Sequence, residues 1–267
     1  MAMEDKLLIV VNPAAATQPA VERVINTALN GPFTELPDVH LLVAVDPSST
    51  DTSADNEAVF RNATWLAEMG EQFRAANLNT TMEISWSKDW ADGILHAAMR
   101  ANASSILVSH PGVNTNRAFS DEFWYLVRNS PLPVSVVQST RPPNRRPVMI
   151  ALDLRDKGLS ELNQRILHAG QIAAQMYGAE LHLVHAYDDS SNYPDRSKLV
   201  ELSGIPNERI HLQAGAPNVV MQAVARKIDP DIVIIGATRR SGVRAALQGR
   251  KLGAILTTIE QDLLFIT

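Results

Sequence analysis

The chain repeats itself at long range. Asp5 to Pro13 and Arg145 to Leu154 are both short apolar runs that reach an amide or an acid, Asn12 and Asp153, ahead of a helical stretch. The likeness continues downstream, where His40 to Asp46 is matched by His182 to Asp188, Ser105 to His110 by Asp231 to Gly236, and Leu132 to Gln138 by Asp262 to Thr267. Four strand-like runs in the same order, with a period far too long for a solenoid, mark two duplicated domains. Divided at Pro142-Pro143, the 267 residues give two pieces of ordinary domain length, each able to bury a core. The expected domains are residues 1–141 and 145–267. The linker falls at Ser139 to Arg146, because a Pro-Pro pair resists both a helix and a central strand.

Within each half, apolar strand-like runs alternate with helical patterns, which signals consecutive βαβ units and a parallel sheet. The run Ile232 to Ile235 is continuously apolar, as a strand covered on both faces must be. The fold class is therefore α/β, two tandem open and mostly parallel domains with helices on both faces. From Ser160 to Tyr177 the spacing places Leu162, Ile166, Ala169, Ala173 and Met176 on one helical stripe, with Asn163 and the charged residues mostly elsewhere. Ser160 can cap that helix and Gly178 can end it. The connection between the second and third strands is long in the first half, about Pro47 to Asn79, and short in the second, Asp189 to Glu208. The second half thus carries a shortened helix there.

Composition removes several chemistries. With no cysteine, disulfides, thiolate catalysis and Cys-ligated metals are excluded. His182 and His185 lie three apart on a strand and point to opposite faces, which argues against a shared metal. No run approaches the roughly 20 apolar residues of a membrane span, and the first residues lack a basic segment followed by an apolar core, so the expectation is a cytoplasmic protein without membrane association. Charge is uneven. The part before Pro142 carries 9 Lys and Arg against 16 Asp and Glu, net −7, and the remainder 15 against 13, net +2. Five of the latter basic residues fall between Arg239 and Lys251, a window with no acid, so an anion is the natural guest there. The window is short and the protein acidic overall, which argues against nucleic acid as a partner.

In an open parallel sheet, ligands sit beyond the carboxyl ends of the strands where strand order reverses. In the second half those ends offer Asp153, the run Ala186-Tyr187-Asp188, and the loop from Gly236 to Gly242, which leads into Gly249, Arg250 and Lys251. Glycines after a strand let the backbone approach a phosphate, and the amides of a following helix start can bind it. The bland alternatives stand beside this reading: the glycines can serve a turn or close helix packing, Asp153 can anchor a loop, and the basic window can be a solvated face.

Here the second half resembles the universal stress protein domain. ATP-binding members of that family carry Gly-x-x-Gly, nine residues, then Gly and a hydroxyl residue, with an Asp closing the first strand. Gly236 opens that frame, Gly249 stands at the expected distance, and Asp153 closes the first strand. Arg239 replaces the second glycine and Arg250 the hydroxyl residue, so the guanidinium groups either bind phosphate themselves or fill the pocket. In the first half, Asn12 replaces the acid and the loop His110 to Arg117 has no glycine pair, so that half looks unable to bind ATP in the family manner.

Allowing two such domains, the resemblance covers the whole chain and identifies it as a tandem member of the family. It implies five-stranded domains of the adenine-nucleotide α-hydrolase-like class, and Asp153, Ala186, Gly236, Arg239, Gly249 and Arg250 as residues around a nucleotide, with ATP and Mg as the cofactor to test. It also implies a stress-response role as a binding and regulatory module acting through an unidentified protein partner. Leu132 to Gln138 and Asp262 to Thr267 are the expected contact of an intrachain pseudo-dimer, and a homodimer of two chains is a further expectation. No Gly-x-Ser-x-Gly elbow, no His-Glu-x-x-His and no nucleophile and base pair is visible, so no catalytic residue is assigned and the chain is read as not an enzyme. A nucleotide-free interaction scaffold and a slow ATPase are the rival readings.

Overall fold

The computed structural model describes residues 6–13, 15, 17–33, 35–45, 63–110, 121–138, 147–154, 160–189, 193–237 and 259–267. They form two compact units. Unit 1 runs β1 (Lys6–Val11), α1 (Pro19–Asn30), β2 (Asp38–Val45), α2 (Ala63–Ala75), β3 (Thr80–Trp86), α3 (Trp90–Arg100), β4 (Ser105–Ser109), α4 (Asp121–Asn129) and β5 (Val134–Val137). Unit 2 runs β6 (Val148–Ala151), α5 (Glu161–Tyr177), β7 (Leu181–Tyr187), α6 (Arg196–Ser203), a 3-10 turn at Asn207–Arg209, β8 (Ile210–Ala214), α7 (Pro217–Ile228), β9 (Ile232–Gly236) and β10 (Asp262–Ile266). The expected linker, Ser139 to Arg146, lies outside the described residues.

Within each unit five strands pair in parallel. The order is β3-β2-β1-β4-β5 in unit 1 and β8-β7-β6-β9-β10 in unit 2. The first strand of each unit is therefore central, and the chain winds outward on one side of it before crossing to the other. The switch point falls between β1 and β4 in unit 1 and between β6 and β9 in unit 2, as in other doubly wound α/β sheets. Central strands are apolar on both faces because helices cover both: Leu8, Ile9, Met149, Ile150, Val233 and Ile234 are fully buried.

Equivalent backbone bonds place the repeat in register. Ser104 N–H donates to Lys6 O at 2.8 Å and Asp231 N–H to Pro147 O at 3.0 Å; His110 N–H donates to Val137 O at 2.9 Å and Ala237 N–H to Ile266 O at 2.7 Å. These bonds align Ser109 with Gly236 and His110 with Ala237. The match drawn from sequence, Ser105 with Asp231, is one residue off. It was anchored on the polar residue that starts each run, and Asp231 lies just before its strand.

Helix α5 forms where its sequence directs. Ser160 Oγ accepts from Asn163 N at 3.3 Å, and Gly178 closes the helix at φ 58°, the left-handed conformation that glycine adopts at least cost. Of the expected stripe, Ile166 is buried and Leu162, Ala169 and Ala173 pack partly buried against the core, whereas Met176 is half exposed; Asn163, Leu167, Gly170 and Ala174 complete the buried face. α6 is the shortened helix foreseen from the loop lengths, 8 residues against 13 in α2, and Leu199 with Ile205 still closes the core beneath it.

Gly170 sets how closely α5 seats on the sheet, because a Cβ there would stand 2.5 Å from Ile150 Cγ2 and 3.0 Å from Leu181 Cδ1. Gly170→Ala should therefore overpack a buried contact and cost about 1–3 kcal/mol, read as a lower urea midpoint at unchanged m-value. A midpoint equal to or above wild type would show that α5 can lift without penalty.

Candidate functional site

The polypeptide leaving a central strand has a physical problem. Its amides no longer belong to a ladder, yet helices and neighbouring strands shut out water, and a buried unpaired peptide group is costly. After β6 the solution is a side-chain amide. Asn163, only 3% exposed in the first turn of α5, donates from Nδ2 to Asp153 O at 2.6 Å and accepts at Oδ1 from Asp153 N at 3.3 Å. On the other side, His185 Nδ1 of β7 lies 3.0 Å from Leu152 O and 3.4 Å from Leu154 N, so either ring tautomer meets one of the two. The residue that ends the first strand is thus gripped by its backbone while its side chain is exposed.

Unit 1 makes the same pair of bonds with a different residue, at an exposed position. Gln18, just before α1, donates from Nε2 to Asn12 O at 2.6 Å and accepts at Oε1 from Asn12 N at 3.3 Å. Asn12 and Asp153 occupy equivalent positions, so both units end their central strand in a two-bond amide clasp. Neither Gln18 nor Asn163 was singled out from sequence. For Asn163 the available signal is a polar residue in the first turn of a helix, three residues after its Ser160 cap, which the apolar spacing sets off the stripe; for Gln18, which precedes α1, the sequence offers none.

Of the expected site residues, the structure brings three to one end of unit 2. Asp153 follows β6, Ala186 sits half-buried near the end of β7, and Gly236 ends β9 across the switch point. Arg239, Gly249 and Arg250 lie outside the described residues. Gly236 has a packing role: a Cβ there would stand 2.8 Å from Leu162 Cδ2 and 3.0 Å from Ile166 Cδ1, so the glycine admits the first turns of α5. In unit 1 the equivalent Ser109 uses its space otherwise, accepting at Oγ from Ala20 N at 3.0 Å and so satisfying an amide of the α1 start.

His110, next in line after β4, is 8% exposed, and burial holds its imidazole below the usual histidine range. Among the described residues no group of three His, Asp or Glu side chains gathers as a metal would require, and no described helix is long and apolar enough to cross a membrane.

No protein-family model matches the chain. Among curated proteins it is 23% identical over 299 alignment positions to universal stress protein E of Escherichia coli K12, covering 100% of this chain and 95% of that protein. It is 22% identical to universal stress protein E of Photorhabdus laumondii, covering 100% and 96%. Among solved structures, a universal stress protein from Archaeoglobus fulgidus superposes with a TM-score of 0.77 at 15% identity over 99% of this chain and 97% of that one. A putative universal stress protein from Pseudomonas aeruginosa gives 0.75 at 20% identity over 99% and 93%.

The clasp predicts a local and a global effect. Asn163→Ala removes both side-chain bonds to the Asp153 backbone and should cost about 1–3 kcal/mol, with faster hydrogen exchange at the Asp153 amide. Unchanged exchange there would mean that water or another group replaces the asparagine.

Proposed function

Because this chain belongs to the universal stress protein family, we propose that it is a binding and regulatory module rather than an enzyme, and that unit 2 takes an adenine nucleotide or another phosphate anion at its switch point. The observation that carries this reading is the exposed carboxylate of Asp153, fixed through its backbone by Asn163 at the end of the central strand and level with Ala186 on the neighbouring strand. A held acid at that position suits the hydroxyls of a ribose, for which a carboxylate offers only acceptors. Phosphates would fall to the loop after Gly236 and to the basic window from Arg239 to Lys251, with no acid in it. ATP fits that division of labour, and Mg would then be carried in with the phosphates.

In unit 1, Asn12 stands in place of the acid and Ser109 is engaged with the α1 start, so the same ligand has less to bind there. The unit then serves as structural partner and as a surface for other proteins.

A second reading has an observation of its own. Leu162 and Ile166 already occupy the space beside Gly236, which suits a nucleotide-free interaction scaffold whose arginines close the pocket.

Thermal unfolding with and without millimolar ATP and Mg separates the two, with an Arg239→Gly, Arg250→Ser double variant alongside. A ligand that binds only the folded chain raises the midpoint as RT ln(1 + [L]/Kd). We expect wild type to shift upward and the double variant to shift less. A shift in the double variant alone would assign the arginines to closing the pocket and favour the scaffold. No shift in either would remove the nucleotide reading.

A further inference from the structure

Two histidines outside that site meet at the edge of unit 2. His182 lies on β7 and His211 on the edge strand β8, where Val184 pairs with His211, so both side chains share the sheet face that α7 covers. His182 Nδ1 and His211 Nε2 are 3.0 Å apart. The rings are nearly coplanar, 15° apart, and their centroids lie 5.3 Å from each other. A centroid gap that exceeds the N···N gap by about one ring width means the rings meet edge to edge, lone pair toward N–H. Such a head-on contact leaves no room for a metal between the nitrogens, and it requires that at least one ring be unprotonated at the shared edge.

We propose that His182 and His211 form a proton-sharing pair that locks edge strand β8 onto β7 at neutral pH and releases it on acidification. The surroundings set the order of events. His182 is 8% exposed, and its Nε2 makes no hydrogen bond and lies 3.7 Å from Glu180 Oε2. Burial holds its affinity for protons below the usual range. Glu180 works against burial, and Arg209, which itself pairs with Glu180, works with it. The first added proton therefore goes to His182, toward Glu180, with the bond to His211 kept. A second proton, on His211, turns the shared edge into two opposed N–H groups. Burial, the charged His182, Lys227 of α7 and Arg196 of α6 all resist it. β8 is the strand that suffers, since it is an edge strand of unit 2 and is held within the unit's sheet by β7 alone.

The sign follows from linkage. Both folded-state pKa values lie below the ordinary 6.5, so the unfolded or locally opened chain binds more protons. The stabilisation is present above the ordinary pKa and lost as pH falls through the depressed ones. His110 in unit 1 shifts in the same direction, so global stability would mix the two sites and a local readout is required. Unit 1 supplies a control. Its equivalent histidine, His40, meets the Thr81 hydroxyl at 2.8 Å rather than a second imidazole, and its Nε2 lies 3.4 Å from Glu83, which also pairs with Arg100.

Hydrogen–deuterium exchange on the full chain, corrected for the intrinsic pH dependence of amide exchange, tests this between about pH 7.5 and about pH 5.5. We expect protection of Ile210–Ala214 to fall several-fold at the lower pH while Ile232–Gly236 and Thr80–Trp86 keep theirs, and His211→Gln to flatten the change in β8. Unchanged β8 protection in wild type, or a full loss that persists in His211→Gln, overturns the proposal. Should that variant fail to fold, imidazole nitrogen NMR of the wild type decides. Two coupled titrations support the pair, and two independent single-step titrations at the ordinary histidine pKa refute it.

Discussion

A parallel strand buried on both faces and paired on both edges leaves the polypeptide nowhere to put its peptide groups once the ladder ends. That constraint governs this protein more than any single contact. β1 and β6 are the strands in that position, and each is followed by a backbone clasp from an amide side chain, Gln18 or Asn163. The clasp ties the exit of the central strand to the first crossover helix. It thereby fixes where that helix starts, how it lies over the sheet, and which residue is left facing outward at the switch point.

The same frame has been filled twice with different chemistry. At the end of the fourth strand, unit 1 has Ser109 bonded to the start of α1, whereas unit 2 has Gly236 with Leu162 packed into the vacated space. At the sheet edge, unit 1 sets His40 against a hydroxyl and a carboxylate, whereas unit 2 sets His182 against His211. The scaffold is common and the polar contents are not.

Much of the architecture was legible because it rests on signals one residue or one turn wide. Alternating apolar runs located all four repeated strands, Ser160 and Gly178 bounded α5, and loop length foretold the shorter α6. What escaped depends on partners distant in sequence. Spacing sets Asn163 off the apolar stripe; it is buried because the Asp153 backbone meets both ends of its side chain. Met176 was placed in the core from spacing alone and is half exposed, since Gly170 and Ala174 form the close contact instead. His211 drew no notice because its meaning comes from the β7 and β8 register, and β8 begins only after a short helix and a 3-10 turn. Of the candidate site, the strand-end residues Asp153, Ala186 and Gly236 were legible as positions. The packing duty of Gly236 was one of two roles left open, and sequence alone could not choose between them.

The clasp has one more property, visible in what it does not touch. Gln18 and Asn163 hold the N–H and C=O of the residue they grip, groups that every amino acid except proline supplies. The identity of that residue is thereby uncoupled from the bonds that seat it. An asparagine stands there in one unit and an aspartate in the other, in the same grip. A scaffold built this way can swap the chemical character of its most prominent position by a single codon without renegotiating its foundations, so specificity and foldability are free to evolve on separate schedules.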